Sequence, residues 1–302
     1  MPVMIAGEKK VEKKRLARAD SLLGDLSMPS RPDVLLEVMR AQSGFAPDPL
    51  VVTGLIRTDM ALSSALLQAA NTRLKGWKRQ VISIDGAATL LGFDRVRAIV
   101  SEQFLSATLV SRDGPVQTLR LRAVDAARRA ERLAQQLPEV SPYCRNGYLP
   151  AVAPDEAYAI GLLHDCGLIA MLRGFPDYAN FCRQTDESGE LDLVDAENAR
   201  FGTNHCLAGY LMMRYWQMPE TLCHMVRVHH RLDDFNRPGV RVRERYALVL
   251  RAILYLSAAV CSGEAMRTWN VVDGRIAAFF GLEIPVLEQL RSGMDAGGSV
   301  KA

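Results

Sequence analysis

The 302-residue sequence lacks most of the short patterns that mark enzymes and secreted proteins. Its six cysteines are scattered without a CxxC pair, which favours reduced thiols over a disulfide framework or a cysteine-rich zinc site. It contains no GxSxG elbow, no glycine-rich phosphate loop and no HExxH pattern. The commonest signatures of serine hydrolases, nucleotide-binding proteins and metalloproteases are therefore missing, and no cofactor is expected.

Long apolar runs and a strong charge of one sign are also missing. The two most apolar stretches, 157–172 and 246–263, are interrupted by His164 with Asp165 and by Arg251, so no membrane segment is expected. The net charge of +3 is small, and no zinc finger or aromatic-basic sheet pattern accompanies it, which argues against a nucleic-acid partner. With no recognisable secretory leader, the chain is expected to be cytoplasmic.

The composition is that of a globular protein, with 49% hydrophobic and 24% charged residues. Helix start signals recur, since Ser30, Asp48 and Asp59 can each offer an N-cap oxygen to a following helix. An apolar stripe at helical spacing, with a polar opposite face, predicts a helix over 59–72; its members are Leu62, Ala65, Leu66 and Ala69. No run of strict alternation appears, so the predicted fold class is all-α.

The chain is predicted to divide into two helical lobes with looser ends. Residues 138–154 hold four prolines, which should prevent a helix there and mark a long connection. The predicted segments are a flexible basic tail at 1–20, an N-terminal helical lobe at 21–137, the connection at 138–154, a second helical lobe at 155–291 and a flexible tail at 292–302. The predicted helices of the second lobe are about 155–172, 175–185, 191–200, 204–216, 219–231, 242–262 and 284–292.

His164 and Asp165 are the most informative pair, because they interrupt an apolar helix where an unpaired polar group would be costly. A metal would draw its other ligands from His205, His229 or His230, since imidazole and carboxylate suit zinc, iron or manganese. A buried hydrogen-bond network is the alternative and the one we favour, because histidines in apolar helices are more often satisfied by hydrogen bonds.

Several segments together resemble the HD-related output domain, HDOD. The segment GLLHDCG, from Gly161 to Gly167, and a helix that starts at an aspartate and ends in Ala-Asn are the most specific parts. The resemblance covers residues 27–231 and implies a two-lobed helical bundle, with an HD-like helical lobe following the N-terminal lobe. It assigns structural roles to Asp59, Asn71, Gly92, Gly161, Gly167, Gly202, Trp216 and Pro219.

The related HD phosphohydrolases, including the HD-GYP group that hydrolyses cyclic di-GMP, bind metal with an upstream histidine, the HD pair and a later aspartate. This sequence has no histidine before His164, and Arg122 stands near the expected upstream position. Ser257 and Ala258 stand where the later aspartate is expected. The resemblance therefore implies a degenerate site without metal, although any metal would use His164, Asp165, His205, His229 and His230.

The function expected from this resemblance is a non-catalytic signal-transduction adaptor of a bacterium, with other signalling proteins as partners. Two alternatives stay open. One is a metal-dependent phosphohydrolase that cleaves a cyclic dinucleotide. The other is a sensor that binds such a nucleotide without cleaving it, using Arg122 and Arg251.

Overall fold

A computed structural model describes residues 6–22, 48–74, 80–93, 95–96, 98–100, 103, 114–188, 193–215, 218–231, 235, 242–258 and 274–295. Within these residues all regular structure is helical, which confirms the all-α fold class. The helices are α1 (Ala6–Asp20), α2 (Pro49–Arg57), α3 (Met60–Arg73), α4 (Ile84–Leu91), α5 (Gly114–Val140), α6 (Pro142–Arg145), α7 (Pro154–Leu163), α8 (Gly167–Gly174), α9 (Tyr178–Ser188), α10 (Leu193–Phe201), α11 (His205–Tyr215), α12 (Glu220–Val228), α13 (Val242–Ala258) and α14 (Ile284–Asp295). Residues 274–280 are also helical.

Side-chain caps begin the first described helices after α1. Asp48 accepts a hydrogen bond from the Leu50 amide at 2.8 Å, and Asp59 accepts bonds from two amides of the first turn of α3 at 2.9 Å. Such caps typically contribute about 1 kcal/mol each, since they satisfy backbone donors that have no partner within the helix. The predicted caps at Asp48 and Asp59 are confirmed, whereas Ser30 lies outside the described residues.

Helix α3 is buried on more sides than the sequence predicted. Ala65 and Ala69 of the predicted stripe are only half-buried, while the small polar residues Ser63 and Ser64 of the predicted polar face are buried. Both serines donate to backbone carbonyls, at 3.0 and 2.7 Å, so their hydroxyls are satisfied inside the core. Helix α3 packs against both α2 and α4.

The predicted connection at 138–154 is helical over part of its length. Helix α5 continues through Pro138 to Val140, and α6 begins at Pro142. A proline this close to the end of a helix removes a single amide donor, and a proline at the first position of the next helix removes a donor that needs no partner. Pro138, Pro142 and Pro154 therefore mark helix ends and starts, and only Pro150 lies in the non-helical stretch between α6 and α7.

The predicted flexible tail at 1–20 contains a folded helix over its described part. Helix α1 packs against α11, and Ala19 is completely buried. This contact was not predicted, because most side chains of α1 are charged and few apolar residues are available to anchor it. The predicted C-terminal tail at 292–302 overlaps α14, which ends at Asp295.

The described residues fall into two compact units that differ from the predicted lobes. Unit 1 draws on residues 1–121 and 163–227, and unit 2 on residues 122–162 and 228–302. Each unit thus combines two separated stretches of the chain. Proline clusters show where single helices end, whereas membership of a unit depends on packing between helices that are distant in sequence.

Unit 2 contains its own buried contacts between distant segments. The Ser141 hydroxyl donates to the Phe280 carbonyl at 2.6 Å, and the Tyr246 hydroxyl donates to Glu156. Gly161 lies so close to α5 that an added Cβ would be 2.7 Å from the Cα of Ala127. These contacts join the start of α6 to the helical residues 274–280, α7 to α13, and α7 to α5.

No single described helix has the length and hydropathy of a membrane span. Helices α2 and α3 meet that test only as a pair, across a break where the chain bends by 115°.

Candidate functional site: a buried polar network in unit 1

His164 and Asp165 lie in a turn between two helices, not within one helix as the sequence predicted. Helix α7 ends at Leu163 and α8 begins at Gly167. The turn is closed by hydrogen bonds from the amide of Cys166 to the Leu163 carbonyl, at 3.1 Å, and from the amide of Leu168 to the Asp165 carbonyl, at 2.9 Å. His164 and Asp165 therefore lie in the short turn that immediately precedes α8.

Gly167 brings this turn into contact with α11. A Cβ at Gly167 would lie 1.9 Å from the His205 carbonyl oxygen and 2.5 Å from the Gly209 amide nitrogen. Both are backbone atoms, so any larger residue would force α8 and α11 apart. Glycine at this position is what allows the HD turn to reach the beginning of α11.

Five polar side chains form a continuous network at this contact. Nε2 of His164 lies 3.1 Å from Oδ2 of Asp165, and Oδ1 of Asp165 lies 3.8 Å from Nε2 of His205. On the other side of its ring, Nδ1 of His205 lies 2.7 Å from Oε2 of Glu197. The Tyr178 hydroxyl donates to the second oxygen of Glu197. The order is therefore His164, Asp165, His205, Glu197, Tyr178.

Glu197 has a second role, because it accepts the backbone amide of His205 at 3.1 Å. That amide belongs to the first turn of α11, where backbone donors have no partner within the helix. The neighbouring residue Asn204 accepts the Leu207 amide at 2.9 Å and caps the same end. Glu197 thus holds both the ring and the backbone of His205.

The network is withdrawn from solvent except at Asp165. Glu197 is 0% exposed and His205 is 1% exposed, whereas the Asp165 side chain is 27% exposed. Isolated charges at such depth would cost several kcal/mol, which requires that they be paired. Asp165 is therefore the member through which solvent can reach the network.

The charge on His205 follows from its neighbours. Burial by itself lowers its pKa, but Cys206, whose Sγ lies 3.5 Å from Nε2, and the Glu197 carboxylate outweigh burial and raise the pKa well above the ordinary histidine value. Burial, together with the Glu197 charge, also raises the pKa of Tyr178, which keeps its hydroxyl a donor. His205 and Glu197 are best described as a buried ion pair.

The other predicted metal donors lie in unit 2. His229 and His230 follow α12, with ring centroids 4.4 Å apart, and His229 is buried. Arg122 is exposed on α5. Arg251 is buried in α13, with its guanidinium carbon 5.1 Å from the Phe235 ring centroid.

Asn71 joins the end of α3 to the segment that precedes α4. Its amide nitrogen donates to the carbonyls of Leu67 and Val81, at 2.9 and 2.7 Å, while its carbonyl oxygen accepts the Val81 amide at 2.8 Å. Asn71 therefore pairs with both backbone groups of Val81, as a second backbone strand would.

The remaining residues marked by the resemblance have identifiable positions. Gly92 and Gly202 adopt φ values of +76° and +71°, a conformation that favours glycine, at the ends of α4 and α10. Pro219 is buried immediately before α12. Trp216 lies outside the described residues.

Sequence reasoning missed Glu197, Tyr178 and Cys206. Glu197 was detectable in principle, because it shares the buried side of α10 with Ala196 and with Phe201, one turn later. An acidic residue on an apolar face requires a cation or donors nearby. Only the fold shows that His205, eight residues later, supplies them.

A family model of the HDOD domain matches residues 28–232, which is more than half of the chain. The chain belongs to the HDOD family. This confirms the predicted resemblance over 27–231. HDOD chains are thus helical proteins related to the HD phosphohydrolases, and the network lies within the matched region.

Solved structures of the same fold include the MmoQ response regulator of Methylococcus capsulatus, 21% identical, with a TM-score of 0.61 over 88% of this chain and 98% of that one. A virulence factor of Campylobacter jejuni is 14% identical, with a TM-score of 0.60 over 94% of this chain and 98% of that one. An uncharacterized protein of Treponema pallidum is 20% identical over 88% of this chain. The chain spans about half the length of that relative, 48%.

The donors of unit 1 make up only part of the ligand set that the HD phosphohydrolases use. The Asp165 carboxylate faces the imidazoles of His164 and His205, and Nδ1 of His205 is paired with the Glu197 carboxylate. No histidine precedes His164 in the sequence. We therefore derive no hydrolytic step from this site.

Proposed function

We propose that this HDOD chain is a non-catalytic signal-transduction output protein that acts in the bacterial cytoplasm by binding other signalling proteins. The observation that carries the proposal is the buried pair of His205 and Glu197, 2.7 Å apart. His205, which was named as a possible metal ligand, is part of the buried core because of this pair. A hydrolytic centre needs an open metal position and an activated water, and neither follows from this ion pair.

Two further points support the proposal. The buried network fixes the start of α11 and therefore stabilises the fold, a role that needs no substrate. One protein of similar fold is named as a response regulator, which agrees with a signalling role. A nucleotide sensor is less well supported, because Arg251 is buried against Phe235 rather than presented to solvent.

The decisive experiment is a phosphodiesterase assay on cyclic di-GMP with added Mn²⁺ or Fe²⁺, using an active HD-GYP enzyme as the positive control. We expect no turnover above the metal-only background for the wild type. Asp165→Asn serves as the matched variant, because it keeps the size of the side chain and removes the charge. Turnover in the wild type that Asp165→Asn abolishes without loss of stability would show that the chain is a phosphohydrolase.

A further inference from the structure

Helix α1 lies on unit 1 through a narrow inner stripe. The residues of this stripe follow helical spacing from Glu12 through Leu16 and Ala19 to Leu22, just after the helix ends. Among residues 11–22, the part of this segment whose burial the structure describes, only Ala19 is fully buried, and Val11 is 48% exposed. The helix therefore buries little apolar surface, and its attachment depends on a few side-chain contacts.

Two arginine contacts attach α1 to the surface below it. The Arg227 guanidinium of α12 donates to the Glu12 carboxylate and lies 5.2 Å from the ring centroid of Tyr210 on α11. Arg18 of α1 lies 5.3 Å from the ring centroid of Phe175, at the end of α8. Each contact pairs a charge on one side with a complementary group on the other.

Both contacts are of a kind that breaks easily. The side chains of Arg227 and Glu12 are 29% and 22% exposed, so solvent screens their attraction. Nearby, the Leu22 side chain fills the space beside Gly174. A Cβ added at Gly174 would lie 2.5 Å from Cδ2 of Leu22. Phe175, Tyr210 and Arg227 contact α1, and none of their side chains belongs to the network of polar side chains around His205.

We propose that α1 is a removable strap over a helix-binding face formed by α8, α11 and α12, and that the signalling partner is an amphipathic helix. The partner helix would present a carboxylate to Arg227 and a cation to Phe175, as Glu12 and Arg18 do. Helix-in-groove binding of this kind is a common recognition mode. The strap geometry stands by itself, whereas the role of the face in signalling rests on the proposed adaptor function.

The first test uses the full chain and native-state hydrogen exchange. Glu12→Lys should speed exchange of the α1 amides on the order of fivefold, because it replaces attraction by repulsion at Arg227. Asp20→Lys is the matched control, since Asp20 is exposed on the same helix and the charge change is the same. Glu12→Lys combined with Arg227→Glu should restore slow exchange, because the reversed pair attracts again.

In the second test, the α1 segment is added to the full chain as a separate peptide. A fluorescein-labelled peptide of residues 6–22 should bind the Glu12→Lys chain several-fold more tightly than the wild type, whose own strap competes at high effective concentration. The Arg227→Glu chain should prefer the peptide carrying Glu12→Lys over the native peptide.

Three outcomes would overturn the strap. They are α1 amides that exchange only with global unfolding in every variant, equal exchange in Glu12→Lys and Asp20→Lys, and equal binding of both peptides by both variant chains. None of these readouts depends on phosphodiesterase activity. Turnover of cyclic di-GMP would therefore remove the adaptor function while leaving the strap measurements intact.

Discussion

Nδ1 of His205 lies 2.7 Å from Oε2 of Glu197, and the same carboxylate oxygen accepts the backbone amide of His205 at 3.1 Å. One buried carboxylate oxygen therefore fixes both the ring and the helix start of a histidine. The other oxygen is held by Tyr178. Because Glu197 has no access to water, each of these partners must be supplied by the protein.

The first prediction concerns Glu197→Leu. This change leaves the buried His205 ring and the Tyr178 hydroxyl without their acceptor, at a cost of about 3 to 5 kcal/mol in the free energy of unfolding. Glu197→Gln keeps an acceptor oxygen and should cost less, about 1 to 3 kcal/mol. Urea denaturation measures both. Equal and small losses for the two variants would show that the pair contributes nothing to stability.

The second prediction is a pH dependence due to His205. Since its folded pKa is raised above its unfolded value of about 6.5, the folded state keeps a proton that the unfolded state releases. The stabilisation is complete below about pH 6.5 and is lost as the pH rises through the folded pKa, at up to about 1.4 kcal/mol per pH unit.

Urea denaturation between pH 6 and pH 8 should therefore show stability that falls with pH. His205→Gln should flatten this part of the curve, because the variant has no imidazole to titrate. The range avoids the alkaline region, where thiols and phenols such as Tyr178 also contribute. A wild-type slope that matches the variant would contradict the raised pKa.

The sequence was sufficient for the fold class and for most helices, because apolar periodicity and N-cap residues are local signals. Asp48 and Asp59 cap helices as predicted. The packing of α1 was not predictable in the same way. Most of its side chains are charged, and which of them face the rest of the protein depends on distant residues such as Arg227.

For the site, sequence analysis identified the polar residues that interrupt long apolar runs. It missed the polar residues that lie on the buried faces of other helices. His164 and Asp165 were recognised because polar residues are conspicuous there. Glu197 was not, because its partner His205 comes from a different helix and the distance between them is a tertiary property. The absence of a bound metal, and the use of His229 and His230 by any metal that did bind, stay predictions, as do the partner and the compartment.

The third prediction contrasts two glycines. Gly167→Ala should destabilise the protein severely, by more than about 3 kcal/mol, because its Cβ would overlap the His205 carbonyl and the Gly209 amide, neither of which can rotate away. Gly54→Ala is the control, since nothing lies within 4 Å of its added Cβ and alanine favours the helix by up to about 1 kcal/mol. Thermal unfolding compares them, and similar effects would refute the close approach of α8 and α11.

The fourth prediction concerns Asn71→Leu. This change deletes three hydrogen bonds and leaves both backbone groups of Val81 without their partner, so the free energy of unfolding should fall by about 1 to 3 kcal/mol. Thr72→Ala removes only an exposed bond in the next position of the same helix and should have little effect. Hydrogen exchange should localise the loss to the Val81 amide. Unchanged protection there would show that the side chain is dispensable.

The last prediction tests whether His164 and Asp165 act structurally as a pair. His164 is 3% exposed and its Nε2 lies 3.1 Å from the Asp165 carboxylate, so His164→Leu leaves that carboxylate facing an apolar residue and should destabilise the protein. Asp165→Leu removes the carboxylate that faces the His164 and His205 rings and should also be costly. In the double variant no carboxylate faces the apolar residue at position 164. The double variant should therefore lose less free energy of unfolding than the sum of the two single losses, by about 1 kcal/mol or more. A double-mutant cycle by urea denaturation, run beside the phosphodiesterase assay, measures this coupling. Strict additivity, with wild-type turnover that the single variants abolish, would assign the pair to catalysis instead.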